Sequence, residues 1–138
     1  MAMTASADTA RVVLEGSREG FVTVLVPKSS YRLEFVDASK GQKCPVEGRP
    51  FSAIVHAKAL KMHRAKGGGT FIEPVEGHPR IVQGRVIATD VVRNMVLVHA
   101  AIPMWIAVPQ GQAASEFATG DLLNFYVDSG ATLRPQTH

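Results

Sequence analysis

The stretch SAIVHAKALKMHRAK, residues 52–66, decides between an all-β and an α+β fold for this chain. Its Ala, Leu, Lys and Met residues all favour helix. On a helical wheel, however, its six basic side chains spread around the whole circumference, so a helix would lack a polar face. As a strand, the segment alternates between two distinct faces, and we therefore predict a long strand, with the helix as the alternative. One face would contain Ala53, Val55, Ala57 and Ala59, and the other Ile54, His56, Lys58, Leu60 and Met62.

The rest of the chain repeats this strand pattern. Short runs rich in Val, Ile, Leu and Phe are separated by Gly, Pro, Asp or Asn, which is typical of meandering β-structure. Gly84 interrupts one such run, IVQGRVIATD at 81–90, and a glycine there indicates a bulge or a sharp bend. The only convincing helical fragment is QGQAASEFATG at 110–120. We predict an all-β fold, a small barrel that is OB-like or six-stranded, with one short helix before the last main strand.

The length of 138 residues suits one domain with a real core. We expect a disordered N-terminus at 1–9, a single β-barrel-like domain at 10–134 and a flexible tail at 135–138. Cys44 is the only cysteine, which excludes an internal disulfide. No apolar run reaches the roughly eighteen residues of a membrane span, and residues 1–10 lack the basic and apolar parts of a secretory signal. A cytoplasmic protein without a membrane partner is the expectation.

The C-terminal half resembles OB-type and related small β-barrels. The resemblance lies in IVQGRVIATDVVRNMVLVHAAIPMWIAV at 81–108 and EFATGDLLNFYV at 116–127. Those domains enter a final strand through a Phe-x-x-Gly-Asp turn, which here is Phe117, Gly120 and Asp121. The chain departs from them in having more than five strand runs and a helix just before the final strand. The run HRAKGGGTFIEP at 63–74 is also similar to one in short bacterial proteins without an assigned activity, so it implies no function.

Positive charge is concentrated in one quarter of the chain. Residues 40–66 contain seven Lys and Arg residues against the single anion Glu47, a net charge of +6. The whole chain has a net charge of +3, so everything outside this window sums to −3. Such segregation attracts phosphates or an acidic partner, and the alternative is a solvated surface that pairs with its own acidic neighbours.

Nucleic acid is the anionic partner that the sequence favours. Barrel surfaces bind single strands by joining a cationic groove to aromatic side chains on which bases stack. We assign this role to the segment 56–71, whose glycines at 67–69 also form a flexible turn that could approach an anion. A glycine-rich turn with solvated charges is the alternative, as is a buried Trp105. The candidate residues are Lys58, Lys61, His63, Arg64, Lys66, Phe71 and Trp105, with Tyr126 as a further aromatic platform.

Catalytic and metal chemistry have weaker support. The middle third of the chain is rich in potential metal ligands, but none has the spacing of a known site, so neither a metal nor a cofactor is predicted. Cys44 lies in a basic loop that could lower its pKa, yet no oriented base is identifiable and no Gly-x-Ser-x-Gly motif exists. The pattern therefore favours a binding protein over an enzyme. The potential ligands are Cys44, His56, His63, Glu73, Glu76 and His78.

Self-association is the remaining possibility. The run MVLVHAAIPMWIAV at 95–108 is apolar in both phases of the strand alternation, which predicts that both faces are covered, and a second subunit could cover one of them. The sequence thus predicts a non-catalytic barrel module that engages nucleic acid or an acidic protein through 56–71 and forms a homo-oligomer. The alternative function is that of a structural or assembly subunit.

Overall fold

The computed structural model describes residues 7–39 and 45–136 of the chain. These residues form eleven β-strands and one short 3-10 helix, which confirms the all-β prediction. The helix, η1, is Ala114–Glu116. The strands are β1 (Thr9–Arg18), β2 (Phe21–Leu25), β3 (Arg32–Asp37), β4 (Pro50–Arg64), β5 (Phe71–Glu73), β6 (Glu76–Gly77), β7 (Ile81–Asp90), β8 (Met95–Ala100), β9 (Ile102–Ala107), β10 (Leu122–Val127) and β11 (Thr132–Pro135).

Most of the segment 52–66 lies in strand β4, as the alternation of its residues predicts. Ala53, Val55, Ala57 and Ala59 of β4 are all buried and form its core face. Met62 joins this face, although simple alternation predicts it on the other. The cause is a β-bulge, described below, because an extra residue in one strand shifts every later side chain to the opposite face.

The bulge lies where β4 pairs with β10. Ala59 is opposite Val127 and Met62 is opposite Phe125, so β4 has two residues where β10 has only Tyr126. Those two residues, Leu60 and Lys61, are both exposed. The bulge thus widens the solvent-facing side of β4 at this point.

Strand β4 is long enough to pair with four others. Along one edge it pairs with β1 through residues 50–54 and then with β9 through residues 56–58. Along the other edge it pairs with β11 through residues 53–56 and then with β10 through residues 59–64. This arrangement makes β4 the element that joins the two halves of the sheet.

The pairings form two circuits that share β4. One runs from β4 through β1, β2, β3 and β11 and returns to β4, and the other runs through β9, β8, β7 and β10. Each circuit contains three consecutive antiparallel strands, β1–β3 in the first and β7–β9 in the second. In the first circuit β3 pairs in parallel with β11, and in the second β9 pairs in parallel with β4. The additional strand runs of the sequence therefore build a second circuit with the same pairing pattern but a different chain order, since β4 precedes β7–β9. In the described chain, only β5 and β6 lie outside these circuits.

Both circuits contribute to one hydrophobic core. Alternate residues of every long strand enter it, including Leu33, Phe35 and Phe125, which are fully buried. The two-sided apolar run 95–108 is also covered within the single chain, since Val96, Leu97 and Val98 are all buried in succession. This run therefore provides no argument for a second subunit, and the homo-oligomer stays a prediction.

Gly84 occupies a crowded position in β7. Residues 81–83 of β7 pair with β5 and residues 85–90 pair with β8, so Gly84 lies where the neighbour changes. A Cβ atom at Gly84 would be 2.5 Å from Val98 Cγ1 and 2.7 Å from the His99 carbonyl oxygen. The glycine is thus required by the close approach of β8, and the bulge of β7 lies further along, between Val86 and Ala88.

Ordered structure extends past the predicted domain limits of 10 and 134. Asp8 accepts a hydrogen bond from a tryptophan, and β1 begins at Thr9. At the other end, the Gln136 amide donates to the Ser52 carbonyl at 2.8 Å. The rest of the predicted N-terminus and tail, 1–6 and 137–138, lies outside the described residues. The predicted helix shrinks to η1, where the Ala114 amide donates to Asn94 Oδ1 at 2.7 Å.

Candidate functional site

The exposed side of β4 forms a basic face, which we define by Lys58, Lys61 and His63. All three side chains are exposed, while the residues between them, such as Ala59 and Met62, point into the core. Three of the predicted cationic residues are thus brought together by strand alternation and the bulge. Lys66, also exposed, follows β4 by two residues.

The lysines of this region differ from several arginines of the chain in their ion pairing. Lys58, Lys61 and Lys66 make no ion pair with any residue that the structure describes. In contrast to these lysines, Arg32 and Arg93 on other strands and turns both form ion pairs with carboxylates. Exposed, unpaired lysines retain their full charge for an anionic ligand, which is the physical requirement of a phosphate-binding surface.

Arg64, by contrast, is held by its own neighbours. Its Nε lies 3.3 Å from Asp121 Oδ2, and its guanidinium also donates to the Glu116 carbonyl oxygen. The same guanidinium lies over the Phe117 ring, with Cζ 5.4 Å from the ring centroid. The structure therefore uses Arg64 to fasten the end of β4 to the Phe117–Asp121 turn. A sequence cannot distinguish this arginine from the free lysines beside it.

The aromatic side chain nearest to the basic face is Tyr126. It lies opposite Leu60 and Lys61 across the β4–β10 pairing, and 61% of it is exposed. Leu60 is also 55% exposed, so the cations adjoin an apolar patch. An exposed ring next to unpaired cations is the combination on which bases stack in single-strand binding.

Phe71 lies further from the lysines. Direct pairings place His63, Asn124, Gln83 and Phe71 in one row across β4, β10, β7 and β5. The Asn124 amide donates to Gln83 Oε1 at 2.9 Å, and Gln83 Nε2 donates to the carbonyl oxygens of Gly67 and Gly69. The buried Gln83 thereby holds the glycine turn against the sheet. Phe71 is half-buried at the end of this row.

Trp105 has a separate environment on the other edge of β4. It pairs with His56, its indole N–H donates to Asp8 Oδ2 at 2.8 Å, and the Arg93 Cζ lies 5.4 Å from its ring centroid. The ring is half-buried. Trp105 therefore lies beside His56, two residues before the first lysine of the basic face, whereas Tyr126 lies opposite Lys61 within it.

Two cavities lie along β4 on this side, and a third lies beside β10. The first, about 280 Å³, lies at Trp105 and His56, and the second, about 260 Å³, shares His56 and extends to Lys58. The third, about 240 Å³, lies between Tyr126 and Arg80. Of the residues that define the basic face, Lys58 lines the second of these cavities. Asp128 lines the second cavity, so one carboxylate opposes the positive charge there.

His56 differs electrostatically from the exposed histidines. Partial burial lowers its pKa below the usual 6.5, and the positive charges of Arg134 and Arg93 lower it further, while Asp8 acts in the opposite direction. Three residues of this environment, His56, Arg93 and Arg134, are not among the binding residues that the sequence predicts. Arg134 in particular reaches β4 only through the pairing of β11, which no local pattern in the sequence reveals.

A cavity of about 530 Å³ lies on the other circuit, over β1–β3. Three carboxylates surround it, but each has a partner within the chain. Arg32 pairs with Glu15 and Glu76, and His78 Nε2 lies 2.6 Å from Glu34 Oε1. The hydrogen bonds from Arg32 hold the pKa of Glu15 below its usual value. Each carboxylate of this cleft thus contacts a basic side chain of the same chain, two of them the single Arg32.

Neither a three-residue metal-ligand group nor a membrane-spanning helix occurs among the described residues. No group of three His, Asp or Glu side chains there is arranged to hold a metal ion, and Cys44 lies outside the described residues. Among the same residues, no helix has the length and hydropathy that crossing a bilayer demands. Comparison of the chain with family models, curated proteins and solved structures gives no match.

Proposed function

We propose that the chain binds single-stranded nucleic acid along the basic face. The observation that carries this proposal is that Lys58 and Lys61, which have no ion-pair partner among the described residues, lie on the same side of the sheet as the exposed ring of Tyr126, with Lys66 just beyond the end of β4. The lysines would contact backbone phosphates, and the ring would stack on a base. Lysine acts as a point charge and every base has a stacking surface, so we expect little sequence preference.

The fold supports this proposal through its circuits. We infer that each circuit of five strands is a small OB-like barrel, because the OB fold has five strands and the pairings of each circuit return to β4. The basic face would then lie on the outside of the second barrel. Barrels of this kind commonly bind oligonucleotides on an outer face that a groove and aromatic side chains define.

The salt dependence of binding tests the proposal. A fluorescent oligonucleotide of about 12 nucleotides should bind at 50 mM salt and weaken steeply by 200 mM, with each phosphate contact contributing about −0.7 to the log–log slope. A triple variant, Lys58→Gln, Lys61→Gln and Lys66→Gln, should reduce the magnitude of that slope by about 2. Lys28→Gln is the matched control, since Lys28 is exposed and unpaired among the described residues but lies in the β2–β3 turn.

Two results would contradict the proposal. One is that folded wild-type protein shows no binding to single-stranded DNA or RNA at low salt. The other is that the triple variant keeps the wild-type slope, which would place the phosphate contacts elsewhere.

Assembly through the basic face is the second function to consider. A basic face docking into the cleft of another copy would be a head-to-tail contact, which generates rings or filaments. The internal pairing of Glu15, Glu34 and Glu76 weakens this alternative, because those carboxylates would have to exchange partners. Light scattering without nucleic acid separates the two functions, since a monomer at low salt and high concentration would exclude assembly. An acidic protein partner would instead compete with the oligonucleotide for the lysines.

A further inference from the structure

The cavity at Trp105 combines an aromatic ring with three basic side chains from distant parts of the chain. The parallel β4–β9 pairing places His56 beside Trp105, and the β11–β4 pairing places Arg134 opposite Ile54. The turn between β7 and β8 supplies Arg93. We call this cavity, of about 280 Å³, the Trp105 pocket. Its lining also includes Asp8, Thr9 and Gln136.

The two arginines retain hydrogen-bonding capacity. Arg134 is exposed, and its guanidinium makes no ion pair with any residue in the described ranges. Arg93 donates through Nε to Asp90 at 2.7 Å, which leaves the terminal nitrogens of its planar fork for other acceptors. Both arginines are close enough to His56 to act on its charge. The carboxylate of Asp8 is engaged by the indole N–H of Trp105.

The pocket lies at one end of the row of basic residues on β4. His56 is the first basic residue of that strand, because residues 50–55 contain no Lys, Arg or His. The neighbouring cavity shares His56 and leads directly to Lys58. A strand that lies on the basic face and ends at this cavity would therefore place its terminal phosphate beside Trp105.

The chemistry of the pocket matches a phosphate monoester. A terminal phosphate carries close to two negative charges and three acceptor oxygens, whereas a phosphodiester within a strand carries one charge. Planar guanidinium forks bind such a group bidentately, and two of them converge here with an imidazole. We propose that the Trp105 pocket binds the terminal phosphate of a single strand lying on the basic face, an inference that rests on the proposed function.

Three oligonucleotides of one sequence test this inference. One has a 5′-phosphate, one a 3′-phosphate and one hydroxyl groups at both ends. Fluorescence anisotropy at low salt should show that a phosphate at one end, and only one, increases affinity roughly tenfold, as expected for charge-assisted hydrogen bonds. Arg134→Gln should abolish this difference without changing the affinity for the hydroxyl-ended strand by a comparable factor. Arg18→Gln is the matched control, an exposed arginine unpaired among the described residues that lies at the end of β1.

The outcomes separate this inference from the proposed function. Equal affinity for all three oligonucleotides would overturn the pocket assignment while leaving single-strand binding intact. An equal gain from either phosphate would also overturn it, because added net charge alone would explain the result. No binding of any oligonucleotide would overturn both. If a thermal melt shows that Arg134→Gln is unfolded, His56→Gln serves as the second variant, and it should likewise reduce the gain in affinity from the terminal phosphate.

Discussion

Tyr126 lies opposite both Leu60 and Lys61, because β4 has one residue more than β10 between their flanking pairs. The bulge therefore places an exposed ring, an exposed apolar side chain and a free lysine at one point of the basic face. Bulges often re-aim side chains at functional sites, and this one brings the components of a stacking platform together.

Removing the Tyr126 ring should weaken nucleic-acid binding without unfolding the protein. Tyr126→Ala should reduce the binding free energy by about 1–3 kcal/mol at fixed salt, while Tyr126→Phe should bind like wild type because stacking requires only the ring. Anisotropy titrations measure the affinities, and thermal melts check that both variants fold. Wild-type affinity in a folded Tyr126→Ala variant would show that the ring does not stack on a base.

Arg64 and Lys61 should behave differently although they are close in sequence. Arg64→Gln should leave the salt slope almost unchanged and should lower the free energy of unfolding by up to about 1 kcal/mol, since its ion pair with Asp121 is solvent-exposed. Lys61→Gln should instead reduce the salt slope and leave the free energy of unfolding almost unchanged. Chemical denaturation and salt titrations of both variants provide the comparison. A larger loss of slope in Arg64→Gln than in Lys61→Gln would mean that Arg64 leaves its internal contacts to bind phosphate.

Asp128 should oppose the binding of an anion in the second cavity. Asp128→Asn should therefore strengthen oligonucleotide binding by about 0.2–1 kcal/mol at low salt, with the gain disappearing at high salt. Asp37→Asn is a suitable control, because Asp37 is likewise exposed and accepts a nearby backbone amide but belongs to β3. Unchanged binding by Asp128→Asn would indicate that the strand avoids this cavity, and weaker binding would contradict the opposing role of its carboxylate.

Gly84→Ala should destabilise the fold by about 1–3 kcal/mol or more, since its Cβ would collide with Val98 and with the backbone of His99. Gly69→Ala offers a contrast, because a Cβ there meets no atom within 4 Å. That variant should be neutral or slightly stabilised. Urea denaturation of both proteins gives the two free energies, and equal stabilities would show that β8 can move away from β7 at little cost.

His56 should make stability depend on pH just below neutrality. Its folded-state pKa is below the usual 6.5, so the unfolded chain binds more protons in the window between the two values. The contribution of neutral His56 to the free energy of unfolding should be complete above about pH 6.5 and should decrease as the pH falls through that window. In His56→Gln this part of the pH dependence should disappear, and in Arg134→Gln the His56 pKa measured by NMR should rise. A wild-type His56 that titrates at or above 6.5 would contradict the burial argument.

The alternation of apolar residues was sufficient to predict the class of fold and most strand positions. Strand β7 begins and ends at the residues of its apolar run, and 52–66 lies almost wholly within β4, because a pleated strand must place alternate side chains on opposite faces. The position of Met62 was not predictable in this way. The bulge that turns it inward depends on the register with β10, about 60 residues later in the chain.

The sequence by itself determined that the chain is all-β and that its positive charge is concentrated before residue 67, since both follow from local composition and periodicity. Only the tertiary structure decided which of those cations are free. Within the described residues Lys58 and Lys61 have no ion-pair partner, whereas Arg64 is bound by the turn before β10, and Arg134 reaches His56 through β11. The physical reason is that strand pairing brings together residues far apart in sequence, and a charge is neutralised or left available by those distant neighbours.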